Sequence, residues 1–142
     1  MRGNKRAKAR ELLMQMLFQM EFQRDFSEGA RDRFIEDFFE DRAQLSYVYR
    51  VHALVQNNKD ALDLRIETGS ENWKVSRMSK VDLSILRIAA AEIFYMDDIP
   101  DSVSANEAVE LAKVYGEDES SRFVNGILGR LIRGKEREGA LL

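Results

Sequence analysis

The apolar residues of this chain recur every three or four positions, which is the spacing of one face of an α-helix. Between residues 5 and 22 there are two such apolar stripes, lying roughly opposite each other. They consist of Leu12, Leu13, Met16, Leu17 and Met20, and of Met14, Phe18 and Phe22. A surface helix needs only one apolar stripe. The first helix is therefore predicted either to be sandwiched between neighbours or to offer its second stripe to a partner.

The same spacing predicts five more helices, over about 30–41, 45–66, 80–96 and 105–115, and from Asp118 or Ser120 onward. Ser79 with Asp82, and Ser104 with Glu107, have the spacing of capping boxes at two of the helix starts. The helix over 80–96 is expected to be the most buried, because it carries few charges. Glycines that interrupt the last helix, Gly126 and Gly129, suggest a close approach to another helix. No strand-like alternation is present, so the predicted fold is an all-α, single-domain bundle of six to seven helices.

Composition narrows the class of protein. The chain has 142 residues, of which 44% are hydrophobic, which is enough for one folded domain. It contains no cysteine, which excludes disulfides and thiolate metal sites. No apolar run reaches the length of a membrane span, and the N-terminus lacks the apolar core of a signal peptide. We expect a cytoplasmic protein without membrane contact.

Charge is distributed unevenly. The net charge is −3, yet the first ten residues carry five cations and no acid, so the rest of the chain carries −8. The cations are Arg2, Lys5, Arg6, Lys8 and Arg10. They do not share one helix face, which predicts a solvated basic arm over 1–10 that merges into a helical domain over 5–135. A frayed tail is expected over 136–142.

Candidate catalytic chemistry is sparse. The only histidine, His52, lies inside a predicted helix with no nucleophile motif near it. No phosphate-binding loop, dinucleotide fingerprint or calcium loop is present. The helices around Gly116 resemble a helix-turn-helix motif. The second helix of that motif would begin with three acids at 117–119, which disfavours sequence-specific binding to DNA. We expect neither an enzyme nor a cofactor or metal site.

The basic arm leads directly into the stripe that carries Phe18 and Phe22. Cations attract phosphate through counterion release, and an exposed aromatic ring can stack on an unpaired base. The basic arm, in which Lys5 is one of the cations, and the aromatic rings that follow it together favour RNA binding. The alternative is a protein-binding helical adaptor whose basic arm does not bind RNA. Phe18 and Phe22 are candidate contacts to a protein partner in either case.

Three blocks of sequence, in order along the chain, carry a more specific pattern. The first block is Lys-Ala-Arg-Glu at 8–11, followed by Gln15, Leu17, Phe18 and Gln19. The second block is Asn72-Trp73 with Arg77, residues 81–82, 85–89 and Glu92. The third block is residues 99–100, 106–113 and 122–128. Together they resemble the NusB family of transcription antitermination factors, over nearly the whole chain. The resemblance implies two packed helical sub-bundles. Phe18 departs from the tyrosine that is common at its position.

The resemblance also implies a function and its residues. Family members bind boxA RNA together with a small-subunit ribosomal protein, NusE, join the antitermination complex on RNA polymerase and support ribosomal RNA synthesis. RNA contacts are implied for Arg6, Lys8, Arg10, Gln15, Phe18, Arg122 and Phe123, and partner contacts for Phe18 and Asp82. Homodimerisation of the free protein, and whether Asn106, Glu107, Asn125 and Gly126 are structural or contact a ligand, stay open.

Overall fold

Each predicted apolar segment forms a helix in the computed structural model, which describes residues 4–140. The helices are α1 (Lys5–Gln23), α2 (Glu28–Phe38), α3 (Leu45–Gly69), α4 (Lys80–Tyr95), α5 (Asp101–Tyr115) and α6 (Ser120–Ala140), with a 3-10 turn at Val75–Arg77 before α4. These described residues contain no strand. The all-α prediction is confirmed.

Helix α4 is the centre of the bundle. An unbroken run from Asp82 to Ile93 is buried, as expected from its small number of charges. It packs against α1, α3, α5 and α6. In the first half of the chain α1 contacts α2 and α3, and in the second half α4, α5 and α6 contact one another. The two halves are joined by α1 and α3 against α4 and by α3 against α6.

Three helices begin with a side-chain cap. Asn4, Ser27 and Ser79 accept hydrogen bonds from backbone N–H groups three residues ahead. The predicted cap at Ser104 is wrong, because α5 begins at Asp101, directly after Pro100. Ser104 instead lies buried in the second turn, where its Oγ donates to Glu92 at 2.7 Å. Ser104 lies at this buried position because the buried carboxylate of Glu92 needs hydrogen-bond donors.

Close helix packing occurs at a different glycine from those predicted. A Cβ on Gly126 or Gly129 would meet only arginine side chains of its own helix. A Cβ on Gly69, by contrast, would lie 3.0 Å from Leu131. Gly69 is the last residue of α3 and has no positive φ, so its small size, and not a left-handed conformation, suits the place where α3 crosses α6.

Helix α1 begins at Lys5, as the apolar spacing predicts. The expectation of a solvated arm agrees with the exposed Lys5 and Lys8 and is wrong for Arg10, which is buried. The expected fraying of the tail is wrong up to residue 140, where α6 ends. Residues 1–3, which include Arg2 of the arm, and 141–142 lie outside the described residues.

Candidate nucleic-acid and partner interface

One face of α1 presents a continuous row of side chains outside the core. Its members are spaced by three and four residues and lie within about 80° of the helix circumference. They are Lys8, Glu11, Gln15, Phe18 and Phe22, called here the α1 stripe. The stripe runs from charged to amide to aromatic groups, so one helix face offers contacts to phosphate, to base edges and to base planes.

The polar half of the α1 stripe is held against the end of α5. Lys8 donates to Glu11 at 3.0 Å, and Gln15 donates through Nε2 to the Tyr115 hydroxyl at 3.3 Å. The hydrogen bond to Glu11 raises the pKa of Lys8, which stays cationic. Burial, and then the contact with Glu11, raises the pKa of Tyr115, so its hydroxyl stays protonated. Tyr115 was not among the residues predicted from the sequence.

The aromatic half differs from the predicted second stripe. Phe18 is 36% exposed and Phe22 is 70% exposed, as expected for rings available to a ligand. Met14, which was placed with them, is 2% exposed and belongs to the core. Spacing by four alone let the predicted stripe drift around the helix, whereas alternating steps of three and four keep it on one face.

Two of the four arm cations in the described residues are committed to the protein interior. Arg10 is 5% exposed, and its guanidinium binds both oxygens of Glu92, at 2.8 and 3.1 Å, and Glu107 at 3.4 Å. Arg6 donates to Gln44 and lies 4.2 Å from the centre of the Tyr47 ring. In this conformation Arg10 offers no exposed guanidinium to a phosphate.

Glu92 organises this part of the core. Besides Arg10 and Ser104, it accepts a hydrogen bond from the Tyr47 hydroxyl. Burial, followed by the charge of Glu92, raises the pKa of Tyr47 well above its usual value, so Tyr47 remains a donor. Four donor groups around one buried carboxylate fix α1 on α4 and α5.

The remaining two arm cations are available at the surface. The side chains of Lys5 and Lys8 are 69% and 64% exposed; among the described residues, Lys5 pairs with Asp41 at 3.5 Å and Lys8 pairs with Glu11. Exposed pairs of this kind contribute about 0–1 kcal/mol and exchange readily for another anion.

A second surface lies where α4 and α6 begin. It is a depression of about 650 Å³, called here the acidic depression, lined by Trp73, Arg77, Met78, Ser79, Asp82, Glu117, Asp118, Glu119, Ser120 and Phe123. Four carboxylates face one guanidinium in this lining, which favours a cationic partner. Asp82 is 8% exposed, and its Oδ1 has no hydrogen-bond partner among the described residues.

The two predicted residues of α6 differ in their exposure. Arg122 is exposed and pairs with Glu119 at 3.5 Å. Phe123 is half-buried against the core and lines the acidic depression. Trp73 is 48% exposed in the same depression and was quoted from the sequence only as part of a motif. Its position on a short connector gave no helical periodicity from which its exposure could have been predicted.

The α1 stripe and the acidic depression are joined through the end of α5. Tyr115, which binds Gln15, is the last residue of α5, and Glu117, two residues on, lines the depression.

Within residues 4–140, no cluster of acids and histidine has the composition of a metal site. No described helix is long and apolar enough to cross a membrane.

The fold and these two surfaces define a helical docking domain. Comparison with known proteins gives the family: the NusB family model matches residues 7–133. The transcription antitermination protein NusB of Clostridium acetobutylicum is 41% identical over 133 residues, which cover 94% of this chain and 98% of that protein. The chain belongs to the NusB family, and it is similar to curated transcription antitermination proteins.

Solved structures agree on the fold. The chain superposes on T. maritima NusB with a TM-score of 0.84 at 33% identity, covering 96% of this chain and 98% of that one. It also superposes, with a TM-score of 0.81 at 18% identity, on a chain from a structure of the antitermination factors NusB and NusE in complex with dsRNA; the match covers 91% of this chain and 96% of that one. At 18% identity, this second likeness shows the fold alone.

Proposed function

We propose that this protein binds boxA-type single-stranded RNA together with the ribosomal protein NusE and supports transcription of ribosomal RNA. In this proposal it acts in the cytoplasm as a non-enzymatic member of the antitermination complex on RNA polymerase. The observation that carries the proposal is the α1 stripe, which displays a lysine, an amide and two aromatic rings on one rigid helix face.

The RNA is assigned to the α1 stripe because its groups match the chemistry of an unpaired strand. Lys5 and Lys8 neutralise phosphates, and Gln15 can both donate to and accept from a base edge. Phe18 stacks on a base, which needs no tyrosine hydroxyl. Arg122 adds a cation at the rim of the acidic depression, and Phe123 contributes a half-buried ring beside it.

The basic ribosomal protein is assigned to the acidic depression. Four carboxylates that would repel RNA attract a cationic surface. Asp82, in the first turn of α4, is one of these carboxylates. Phe18 and Phe22 extend the contact with apolar area. This division reconciles RNA binding with a net charge of −3, since the four carboxylates of the depression face the basic protein and not the RNA.

Binding of labelled RNA tests the proposal. Anisotropy titrations would compare a boxA-like RNA with a scrambled RNA of the same length, each with and without NusE. We expect preference for the boxA-like RNA, a steep decrease of affinity with salt, and tighter binding when NusE is present. Equal affinity for both RNAs under all conditions contradicts the proposal.

Matched variants locate the site. Phe18→Ala removes a stacking ring and is expected to weaken RNA binding by about 1–3 kcal/mol. Tyr95→Ala removes a ring of similar exposure, 40%, from the end of α4 and is expected to leave RNA binding unchanged. If Phe18→Asp abolishes NusE binding while RNA affinity stays at the wild-type level, the adaptor alternative is the better description.

A further inference from the structure

A basic groove lies away from both surfaces described above. It has a volume of about 580 Å³ and runs between the second half of α3, the end of α4 and the second half of α6. No residue of α1 or of the acidic depression lines it. Its lining holds five cations and one acid, namely Arg65, Arg130, Arg133, Lys135, Arg137 and Glu138. A protein of net charge −3 has thus gathered almost a quarter of its 22 cations in one place.

One of these cations is structural. The Nζ group of Lys135 donates to the Ile93 carbonyl at 2.7 Å and to Asp101 at 3.0 Å, which ties α6 to the ends of α4 and α5. Because these contacts lie partly inside the protein, Lys135 is not free to bind a ligand. It contributes positive charge to the groove without contacting an anion there.

Two arginines are held in place by contacts that a phosphate could replace. Arg65 lies 4.0 Å from the centre of the Phe94 ring and pairs with Glu138 at 3.4 Å; its side chain is 42% exposed and that of Glu138 is 63% exposed. Arg130 donates to the Gly69 carbonyl and pairs with the exposed Glu71 at 3.6 Å. Their orientation is fixed by the ring and the carbonyl, while the ion pairs are solvent-screened and weak.

The other two arginines, Arg133 and Arg137, have no ion pair among the described residues. With Arg130 they form a row on one face of α6, at spacings of three and four, that extends over about 10 Å. We call these three residues the α6 arginine row. The glycines of α6 lie beneath it: the guanidinium of Arg133 is 3.2 Å from where a Cβ on Gly129 would be, and that of Arg130 is 3.5 Å from the same point at Gly126.

We propose that the α6 arginine row, with Arg65, binds the ribose-phosphate backbone of RNA that extends beyond the α1 stripe. The proposal rests on the proposed function in that the same RNA reaches both surfaces. A backbone ligand is favoured because four of the five cations are arginines, whose planar guanidinium matches a phosphate in a two-bonded geometry. The contact would lengthen the bound RNA and add affinity without adding sequence preference.

The test uses two RNA lengths and a charge-matched control. Arg133→Gln/Arg137→Gln removes two cations from the row, and Arg33→Gln/Arg42→Gln removes two exposed cations from α2 and the loop that follows it. Each full-length protein is titrated with a 12-nucleotide boxA-like RNA and with the same RNA extended to about 40 nucleotides by scrambled sequence. The titrations are repeated over a range of salt concentrations.

The row variant should bind the short RNA like wild type and the long RNA more weakly. Two lost phosphate contacts reduce the slope of log K against log salt by about 1.4, which is about a tenfold loss of affinity at 0.2 M salt. The control should not show this length-dependent loss. Arg133→Lys/Arg137→Lys keeps both charges and should keep most of the salt slope.

Three results would overturn the proposal: the row variant binds the long RNA like wild type, it loses affinity equally for both lengths, or the control shows the same length-dependent loss. Failure of the proposed function looks different. In that case wild type would not distinguish boxA-like from scrambled RNA, while the row variant would still lower the affinity for any long RNA.

Discussion

Arg10 could stabilise the fold or contact RNA, and the sequence and the structure indicate different roles for it. The sequence places Arg10 in a basic arm, whereas the fold buries it against Glu92. Substituting Arg10 with Met removes the charge and keeps most of the side-chain volume. Lys8→Met is the matched control, since it removes an exposed cation two residues earlier on the same helix.

The magnitude follows from what Arg10→Met leaves behind. Glu92 would keep the hydroxyls of Tyr47 and Ser104 but lose both guanidinium hydrogen bonds. Removing one partner of a buried ion pair costs about 3–5 kcal/mol, because the other charge stays buried without compensation. For a domain of 142 residues, that lowers the melting temperature by about 10–17 °C. Lys8→Met should change stability by no more than about 0.5 kcal/mol.

Urea denaturation and RNA titration on the same preparations give the two readouts. Arg10→Met should be strongly destabilised, yet bind RNA with the wild-type salt slope at temperatures where it is folded. Lys8→Met should be as stable as wild type and lose about 0.7 from that slope for a single-stranded RNA. Adding Glu92→Gln to Arg10→Met should recover part of the lost stability, since the uncompensated charge is then gone. A stable Arg10→Met protein with a reduced salt slope would refute this reasoning and return Arg10 to the RNA site.

Three further predictions concern stability. Burial lowers the pKa of His52, whose Nε2 lies 2.9 Å from the Phe26 carbonyl, so the unfolded chain binds more protons than the folded protein as pH falls below about 6.5. The free energy of unfolding of wild type should therefore decrease by up to about 1.4 kcal/mol per pH unit in that range. Urea denaturation at several pH values should show this decrease for wild type and not for His52→Gln. Gly126→Ala should raise the free energy of unfolding by about 0.5–1 kcal/mol, because its Cβ meets nothing closer than 3.5 Å. Gly69→Ala should lower the free energy of unfolding by about 1–2 kcal/mol, because its Cβ would press on Leu131 where α3 crosses α6; an increase in either thermal or urea midpoint would contradict it.

Most of the fold could be predicted from the sequence, because helix existence depends on local spacing. The apolar run around Ile85 identified α4 as the central helix, and Ser79 marked its start correctly. The errors arose where a polar residue has a tertiary partner. Ser104 has the pattern of a cap but is used as a donor to Glu92, a contact that no local pattern reveals. The close contact of Gly69 with Leu131 also escapes local patterns, because Leu131 is distant in sequence.

The candidate site was less predictable than the fold. Charge counting treated the cations of residues 1–10 as one arm, although the fold turns Arg6 and Arg10 inward and leaves Lys5 and Lys8 outside. The direction of each depends on where α3 and α4 lie, which is tertiary information. The helix period left two alternatives for the stripe with Phe18 and Phe22, burial between neighbours or a surface offered to a partner. The fold leaves both rings exposed, at 36% and 70%.

The buried side of α1 explains why its exposed side can act as a preformed ligand surface. Glu92 anchors the first half of α1 through Arg10, and Arg87 anchors the second half through Glu21 while binding Asp63 of α3 at 2.8 Å. Two buried ion pairs about three helical turns apart fix the position and rotation of the helix that carries Phe18. A ring held this way loses little freedom when it stacks on a base, so more of the stacking free energy is retained as affinity. In the proposed function, the basic residues of the opening motif would therefore have two roles, Lys8 as an exposed phosphate contact and Arg10 as an internal anchor of the helix.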